Sequence, residues 1–459
     1  MTLFLIACTG PQLDDSDPGV VDDTSVDDSG DDPVDADGDG FLDDIDCNDD
    51  DDNVYPGAPG LCDGQQNDCE VDWVGDAGLA TWMDEPPVDM SAELAAGGTF
   101  TMGDGTLRLC EGTWLLEIHV SGDLTIEGAE ADAVLSGEGS WTPLQIVEQG
   151  ASLTVSELTV EGGLASLLVP DGSELGGGAL YCHGASVTLD EVVFADNISA
   201  GMGGAAFAQD CEIQISGGRV QQNEAVDGGG MFLVGGSLEM VDAWFESNIA
   251  TETGGALVAY DGVTGVLDDS HFSLNTAEIG GGVALFEDNV LDFVNAYFAS
   301  NAADYGAAVA MGSGEVVTFD GGKVKKNEAT EAGGAVYSGG GNTLTATGTE
   351  ISENSAITGG ALYMDADTVT LYDVVMDENK ADKGGAAYLE GTEATLEASL
   401  VRTNIAVEGG AFYVKKLVSL EIVSTDFSAN DPDDLQYSGG DSYSFGLAAE
   451  TSCDNSGCD

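Results

Sequence analysis

Residues 359–379 read Gly-Gly-Ala-Leu-Tyr-Met-Asp-Ala-Asp-Thr-Val-Thr-Leu-Tyr-Asp-Val-Val-Met-Asp-Glu-Asn. The same pattern opens on a Gly pair with a small apolar residue, closes on an Asn three residues after a large apolar one, and occurs ten times between residues 176 and 430. Successive copies lie 25 to 27 residues apart, and a fixed period of this length is typical of a solenoid. The closing residues are Asn197, Asn223, Asn248, Asn275, Asn301, Asn327, Asn354, Asn379, Asn404 and Asn430.

Each copy alternates apolar and polar residues in short runs. Counting back from Asn197, apolar residues fall at Phe194, Val192, Leu189 and Val187, and the residues between them are mostly polar, as at Thr188, Asp190 and Glu191. Two short strands and a corner explain this spacing, and a third strand follows the Gly pair. One turn cannot bury its own apolar face, so neighbouring turns must stack. The sequence therefore predicts an all-β chain, a single-stranded right-handed parallel β-helix with about 26 residues per coil.

The recurring polar and glycine positions have a structural interpretation. Stacked coils place identical Asn side chains above one another, where they can hydrogen-bond as a ladder. The Gly pairs suit bends where φ is positive or a Cβ would collide. A row of ligand-binding Asn residues is the alternative interpretation.

The Gly-Gly-Ala and Phe-x-x-Asn motifs, exemplified by Gly255-Ala256 and Phe298–Asn301, resemble the repeats of the polymorphic outer-membrane protein family, carried on a pectin-lyase-like β-helix. The resemblance covers residues 176–430 and implies surface display and adhesion. It does not extend to a C-terminal autotransporter barrel, and we expect residues 431–459 to form a cap or tail. Short strand-like runs from Leu107 onward extend the predicted β-helix to 99–430, after a lead-in or cap at 73–98.

The charge balance narrows the choice of partners. The 459 residues include 85 acidic and 10 basic side chains, a formal net charge of -75. Nucleic acid and anionic lipid surfaces would be repelled, whereas divalent cations and basic partners would be attracted. No apolar stretch of about 18 residues predicts a membrane-spanning helix.

The N-terminus predicts a surface location. Residues 1–8 end in Leu-Ile-Ala-Cys, which is similar to a lipobox with Cys8 as the lipidated residue, although no basic segment precedes it. Residues 9–34 are an acidic segment without periodicity, which we expect to be a disordered tether. We therefore expect a bacterial protein that is lipid-anchored at the outer membrane or extracellular, in contact with a membrane only through that lipid.

Residues 35–46 have the spacing of a twelve-residue calcium loop. Oxygen donors fall at positions 1, 3, 5, 9 and 12, Gly40 falls at position 6, and a backbone carbonyl is expected from position 7. An Asp rather than a Glu at position 12 should lower the affinity. The predicted ligands are Asp35, Asp37, Asp39, Phe41, Asp43 and Asp46.

The module at 35–72 carries a second resemblance. Its Asp-rich loop is similar to the calcium loops of thrombospondin type 3 repeats. With Cys47, Cys62, Cys69 and the Pro-Gly-Ala-Pro turn at 56–59, it also resembles an Asp/Cys metal-binding motif of bacterial surface proteins that is sometimes assigned to copper. Carboxylate donors without His or Met favour Ca²⁺ over copper.

Nine cysteines are present, and setting Cys8 aside leaves an even number, as expected for disulfides in an oxidising compartment. Short spacings suggest the pairs Cys62–Cys69 and Cys453–Cys458. The partners of the other cysteines stay open at this level.

The predicted β-helix could serve either as an enzyme or as a non-catalytic binding scaffold. Fragments of an acid–base site occur at His183 and at 268–271, but they lie three to four coils apart, so we expect no catalysis and keep a polysaccharide lyase or hydrolase as the alternative. An aromatic row follows the Gly pairs; if it faces outward it could bind sugars, and if inward, the interpretation we favour, it is core. The row comprises Tyr181, Phe207, Tyr337, Tyr363, Tyr388 and Tyr413. The sequence thus favours a monomeric, non-catalytic surface protein, a calcium-binding scaffold for adhesion or display to a glycan or protein partner.

Overall fold

The computed structural model describes residues 34–71, 75–83, 86–129, 133–166, 176–416, 418–438, 444–447 and 452–453. Over these residues the chain forms a parallel β-helix in which three long sheets run along the axis and each coil contributes one strand to each sheet. In the coil that contains the opening motif, the three strands are Leu362–Asp365, Thr368–Tyr372 and Val375–Asp377. The predicted all-β fold with about three strands per coil is confirmed.

The sheets are named by the order of their strands after the Gly pair. The first sheet contains Gly98–Met102, Leu116–Val120, Leu144–Ile146, Leu180–His183, Ala206–Gln209, Met231–Val234, Leu257–Tyr260, Val283–Phe286, Val309–Met311, Val336–Ser338, Leu362–Asp365, Ala387–Glu390, Phe412–Lys415 and Leu435–Tyr437. The second contains Val88–Asp89, Ala80–Trp82, Gly105–Leu109, Asp123–Gly128, Ser152–Ser156, Ser186–Asp190, Glu212–Ser216, Ser237–Val241, Thr264–Asp268, Val290–Val294, Val316–Asp320, Thr343–Thr347, Thr368–Tyr372, Glu393–Glu397, Ser419–Val423 and Ser444–Leu447. The third contains Gly112–Trp114, Ala133–Ser136, Thr159–Glu161, Val193–Ala195, Arg219–Gln221, Trp244–Glu246, His271–Ser273, Tyr297–Ala299, Lys323–Lys325, Glu350–Ser352, Val375–Asp377, Leu400–Arg402, Asp426–Ser428 and Ser452–Cys453.

The chain returns from the third sheet to the first through a segment between each ladder Asn and the next Gly pair, called here the return segment. Return segments pair with one another through isolated bridges and through short strands. The short strands are Leu164–Ala165, Ile198–Ser199, Glu224–Asp227, Ile249–Thr253, Ala302–Tyr305 and Glu328–Ala332.

The register stacks equivalent residues directly on one another, which builds the core from columns. Phe272 and Phe298 stack with their ring centroids 4.6 Å apart, and Phe293 stacks on Phe319 at 5.2 Å. Such offset contacts between buried rings add to the stability that burial of their area supplies. Each buried side chain packs on its equivalents in the adjacent coils, so the rod is stabilised mainly by contacts between neighbouring coils.

The corner before each ladder Asn has a property that the repeat pattern did not suggest. The residue preceding each Asn, such as Ser300 or Glu378, is in the left-handed region at φ 57° and 55°. This conformation costs roughly 1–2 kcal/mol for a residue with a Cβ. The hydrogen bonds of the following Asn side chain offset that cost.

The Gly pairs behave as expected at the opposite corner. Gly254 has φ 61°, and a Cβ on Gly255 would lie 2.2 Å from the carbonyl oxygen of Gly281 in the next coil. The first glycine thus supplies the positive φ and the second allows the close approach of two coils.

The N-terminal end of the rod is covered by the lead-in. Strand Ala80–Trp82 pairs antiparallel with Gly105–Leu109, and the short helix Ser91–Leu94 buries Leu94 against the first coils. No helix in the described part of the chain is long and apolar enough to cross a membrane.

Candidate functional site

The Asp-rich loop brings four of the predicted metal ligands together. Carboxylate oxygens of Asp37, Asp39 and Asp46 lie within 4.8 Å of one another, and so do those of Asp35, Asp37 and Asp49. One oxygen each of Asp37, Asp39 and Asp46 is buried without a hydrogen-bond partner. Converging carboxylate oxygens that lack donors are what a hard cation requires.

Local hydrogen bonds shape this loop. The two carboxylate oxygens of Asp35 accept the backbone N–H groups of Gly38 and Gly40 at 2.7 and 3.2 Å, and Asp39 accepts the N–H of Phe41 at 2.8 Å. Gly38 and Gly40 have φ 88° and 99°, which only glycine adopts easily. Gly40, which the sequence predicted for the turn, and Gly38 together set the curvature that gathers the carboxylates.

The electrostatics of the loop also suit a cation. Burial raises the pKa of Asp37, and the negative charges of Asp39, Asp46 and Asp49 raise it further. The hydrogen bond from the backbone N–H of Asp39 lowers this pKa but does not cancel the increase. A bound cation would reverse that repulsion and favour the ionised carboxylates.

Among the other predicted ligands, Asp43 lies apart from the converging carboxylates and the Phe41 carbonyl stays a prediction, while Asp49 was missed. Asp43 is exposed and belongs to neither group of converging carboxylates. The Phe41 ring stacks on Tyr55 with centroids 5.2 Å apart, which anchors the loop. Asp49 lies outside the twelve-residue pattern, but its carboxylate reaches back to accept the N–H of Ala36 at 3.1 Å. The run of Asp residues after Cys47 could have indicated a further ligand, but its spacing does not show which of these carboxylates reaches the loop.

The disulfides correct the prediction made from short spacings. Cys69 bonds to Cys47, and Cys62 bonds to Cys110 in the first coils. The pair Cys62–Cys69 is wrong because Tyr55 and Asp68 form a bridge that folds Cys69 back toward Cys47. A third disulfide joins Cys182 and Cys211 in adjacent coils. Cys8 and the suggested partner Cys458 lie outside the described residues.

The donor set fits calcium better than copper. Cys47 and Cys69 lie close to Asp46, but both sulfurs are bonded to each other and supply no thiolate. The remaining donors are carboxylates, which Ca²⁺ prefers and copper does not. Asp35, Asp37, Asp39, Asp46 and Asp49 would hold the ion.

The Asn column forms a continuous buried ladder. The side-chain amide of Asn301 donates to Oδ1 of Asn327 at 2.9 Å and to the carbonyl of Phe272 at 2.9 Å. Its own Oδ1 accepts the backbone and side-chain N–H groups of Asn275, both at 3.0 Å. The bonds repeat from Asn197 to the last rung, so these amides have no group left for a ligand.

A second, shorter ladder lies at the corner between the first and second sheets, and two of its rungs are acids. Its members are Asn289, Glu315, Asn342 and Asp367, each linked by a backbone N–H to the next. Glu315 and Asp367 are 0% and 4% exposed, and one oxygen of each lacks a partner. Burial raises the pKa of both carboxyls.

The aromatic row lies outside the core, so the favoured inward interpretation is wrong. Tyr337, Tyr363, Tyr388 and Tyr413 stack one on another with centroids 5.0–5.2 Å apart, on the outer side of the first sheet. Phe207 belongs to a separate cluster on the same side. The return segments flank the row, so Tyr388 and Tyr413 are 7% and 5% exposed although they face away from the core.

The two histidine fragments do not meet. His183 lies on a strand of the first sheet, and His271 lies three coils further on a strand of the third sheet. His271 instead stacks on Trp244 at 4.0 Å, and burial lowers its pKa.

Comparison with known proteins adds little beyond the fold. No family model matches the chain, and no curated protein matches it. Among solved structures it is similar to PfbA, a surface adhesin of Streptococcus pneumoniae, with 12% identity and a TM-score of 0.36. The likeness covers 74% of this chain and 82% of that chain. A similarity of this size carries no argument about function.

Proposed function

We propose that the chain is a non-catalytic surface protein whose β-helix is a scaffold for adhesion or display and whose Asp-rich loop binds calcium. The observation that carries the proposal is the contrast between the two parts of the chain. In the rod, the recurring Asn, Gly and apolar residues have structural roles in the ladder, the corners and the core. In the loop, the carboxylates of Asp37, Asp39 and Asp46 converge, and one oxygen of each is buried without a donor.

The arrangement of the module supports a role for the metal in mechanical coupling. Cys47–Cys69 closes the loop, and Cys62–Cys110 joins the module to the first coils. A calcium ion held by Asp35, Asp37, Asp39, Asp46 and Asp49 would stiffen the connection between the rod and the segment that precedes it. Surface location, the lipid at Cys8 and the resemblance to outer-membrane repeat proteins belong to the same proposal.

Calorimetry on the full chain tests the calcium site. Titration with Ca²⁺ should give one binding event, with a dissociation constant roughly between 10⁻⁶ and 10⁻³ M. Asp37→Asn and Asp49→Asn should weaken it strongly, whereas Asp43→Asn, the matched control outside the carboxylate groups, should leave it unchanged. No calcium heat, tighter copper binding, or equal loss in the Asp43 variant would remove the calcium assignment.

A cell-binding assay tests the scaffold role. The labelled full chain should bind host or neighbouring cells in a saturable manner, and should release no reducing or unsaturated sugars from acidic polysaccharides in the presence of calcium. Turnover on such a substrate would replace the adhesion proposal by the lyase or hydrolase alternative.

A further inference from the structure

A groove runs beside the stacked tyrosines. It lies between strands Leu362–Asp365 and Ala387–Glu390 of the first sheet and the return segments at 355–358 and 380–383. Its cavity measures about 340 Å³. Its wall includes Tyr363, Asp382, Lys383, Tyr388, Glu390 and Lys415.

The rings of the groove cannot serve as a flat stacking platform. Tyr363 and Tyr388 are parallel within 1° and Tyr388 and Tyr413 within 6°, so each ring face is covered by the next ring. At the far end, the ammonium of Lys383 lies over the Tyr413 ring at 5.1 Å. Only ring edges and phenol hydroxyls remain for a ligand, and these recognise hydrogen-bonding groups rather than sugar faces.

The phenol hydroxyls of the tyrosine column differ in whether they form hydrogen bonds. The Tyr388 hydroxyl donates to Glu390 at 3.2 Å. The Tyr363 hydroxyl has no hydrogen-bond partner in the described part of the chain, although its ring is half-buried in the wall of the cavity. A phenol held in place by a stack and left without a partner is a preorganised donor and acceptor.

The charges of the groove are unusual for this chain. The Glu390 carboxylate accepts hydrogen bonds from the ammonium groups of Lys415 at 2.9 Å and Lys416 at 3.1 Å. Lys383 forms no ion pair within the described residues despite the large excess of acidic side chains. The wall of the groove therefore carries both donors, from Tyr363, Lys383 and Lys415, and acceptors, from Asp382 and Glu390.

This pattern selects the chemistry of the occupant. A polyanion would meet the overall charge of -75, and a polycation would meet Lys383 and Lys415. A hydroxyl group is neutral and both donates and accepts, so it can pair with each wall residue in turn. The tyrosine column repeats every 5.0–5.2 Å along the axis, which suits a chain of similar units lying lengthwise.

We propose that this groove binds a neutral glycan chain lengthwise along the rod, through the free hydroxyl of Tyr363, the ammonium of Lys383 and the Glu390–Lys415 pair. The assignment rests on the adhesion role proposed above and supplies its ligand class. Recognition uses hydrogen bonds from stacked side chains that are already ordered, so little side-chain entropy is lost on binding.

Titration calorimetry of the full chain with cellohexaose, maltohexaose and N-acetylchitohexaose tests the groove. At least one should bind, and Tyr363→Phe, which removes one hydroxyl and keeps the stack, should weaken it about tenfold. Lys383→Met should weaken it at least as much. Tyr372→Phe is the matched control because Tyr372 is 47% exposed on the outer face of the second sheet. Binding of none of the three glycans, or equal affinity of the Tyr363 and Tyr372 variants, overturns the proposal.

Cell binding by the same variants separates this proposal from the adhesion role. If Tyr363→Phe and Lys383→Met lose glycan binding but bind cells as well as the parent chain, adhesion stands and the groove does not supply its ligand class. If the glycans bind the groove but the parent chain binds no cells, the groove stands and the adhesion role is wrong.

Discussion

Removal of a single rung should show how much the Asn ladder stabilises the rod. The side chain of Asn301, fully buried, takes part in four hydrogen bonds of 2.9–3.0 Å. In Asn301→Ala, the carbonyl of Phe272 and two N–H groups of Asn275 lose their partners inside the rod. A buried polar group without a partner costs about 1–3 kcal/mol, so three of them should lower the free energy of unfolding by roughly 3–5 kcal/mol after some relaxation.

Urea unfolding followed by circular dichroism measures this loss, and amide hydrogen exchange over 275–327 locates it. Because each coil contacts only its neighbours, the break should also split the transition into two phases. Asn301→Asp keeps the acceptor oxygen but turns the donor into an acceptor facing the carbonyl of Phe272, so it should be destabilising near neutral pH and less so in acid. Gln214→Ala removes an exposed amide from the outer face of the second sheet and is the control. A loss in Asn301→Ala no larger than in this control would refute the ladder argument.

Three further outcomes are expected. Gly255→Ala should destabilise the rod by roughly 2–4 kcal/mol in urea unfolding, because its Cβ meets a backbone oxygen, whereas Gly262→Ala, with open space around it and φ 80°, should cost only about 1 kcal/mol. Burial raises the pKa of Asp367, so its stabilising contribution is complete below the unfolded pKa of about 4 and is lost as pH rises through the folded pKa. Asp367→Asn should therefore raise Tm at pH 7 more than at pH 4. An equal change in Tm at both pH values would contradict this. Burial, with the neighbouring Tyr388 and acidic charges, raises the pKa of Tyr363 to about 12. Ultraviolet titration should therefore show a late-titrating group of phenols that Tyr363→Phe reduces by one, and stability should fall as pH rises from about 10 toward 12.

The repeat itself was readable from the chain because a solenoid imposes the same environment once per coil. An Asn at each closing corner, as at Asn301, and a glycine at each opposite corner, as at Gly255, recur for one physical reason each: a stacked amide and a missing Cβ. Alternation placed Phe293 and Phe298 in the core, where the structure has them. The position of Gly40 likewise predicted the turn of the Asp-rich loop, where its φ is 99°.

Tertiary structure decided what depends on distance across the chain. The row containing Tyr363 could not be oriented from its sequence, because Ala361-Leu362-Tyr363 is apolar throughout and both sides of that strand become covered, one by the core and the other by the return segments. The partner of Cys62 lies 48 residues away and is set by how the module docks on the first coils. Asp49 joins the carboxylates and Asp43 does not, because the turn geometry, and not the spacing, decides which oxygens converge.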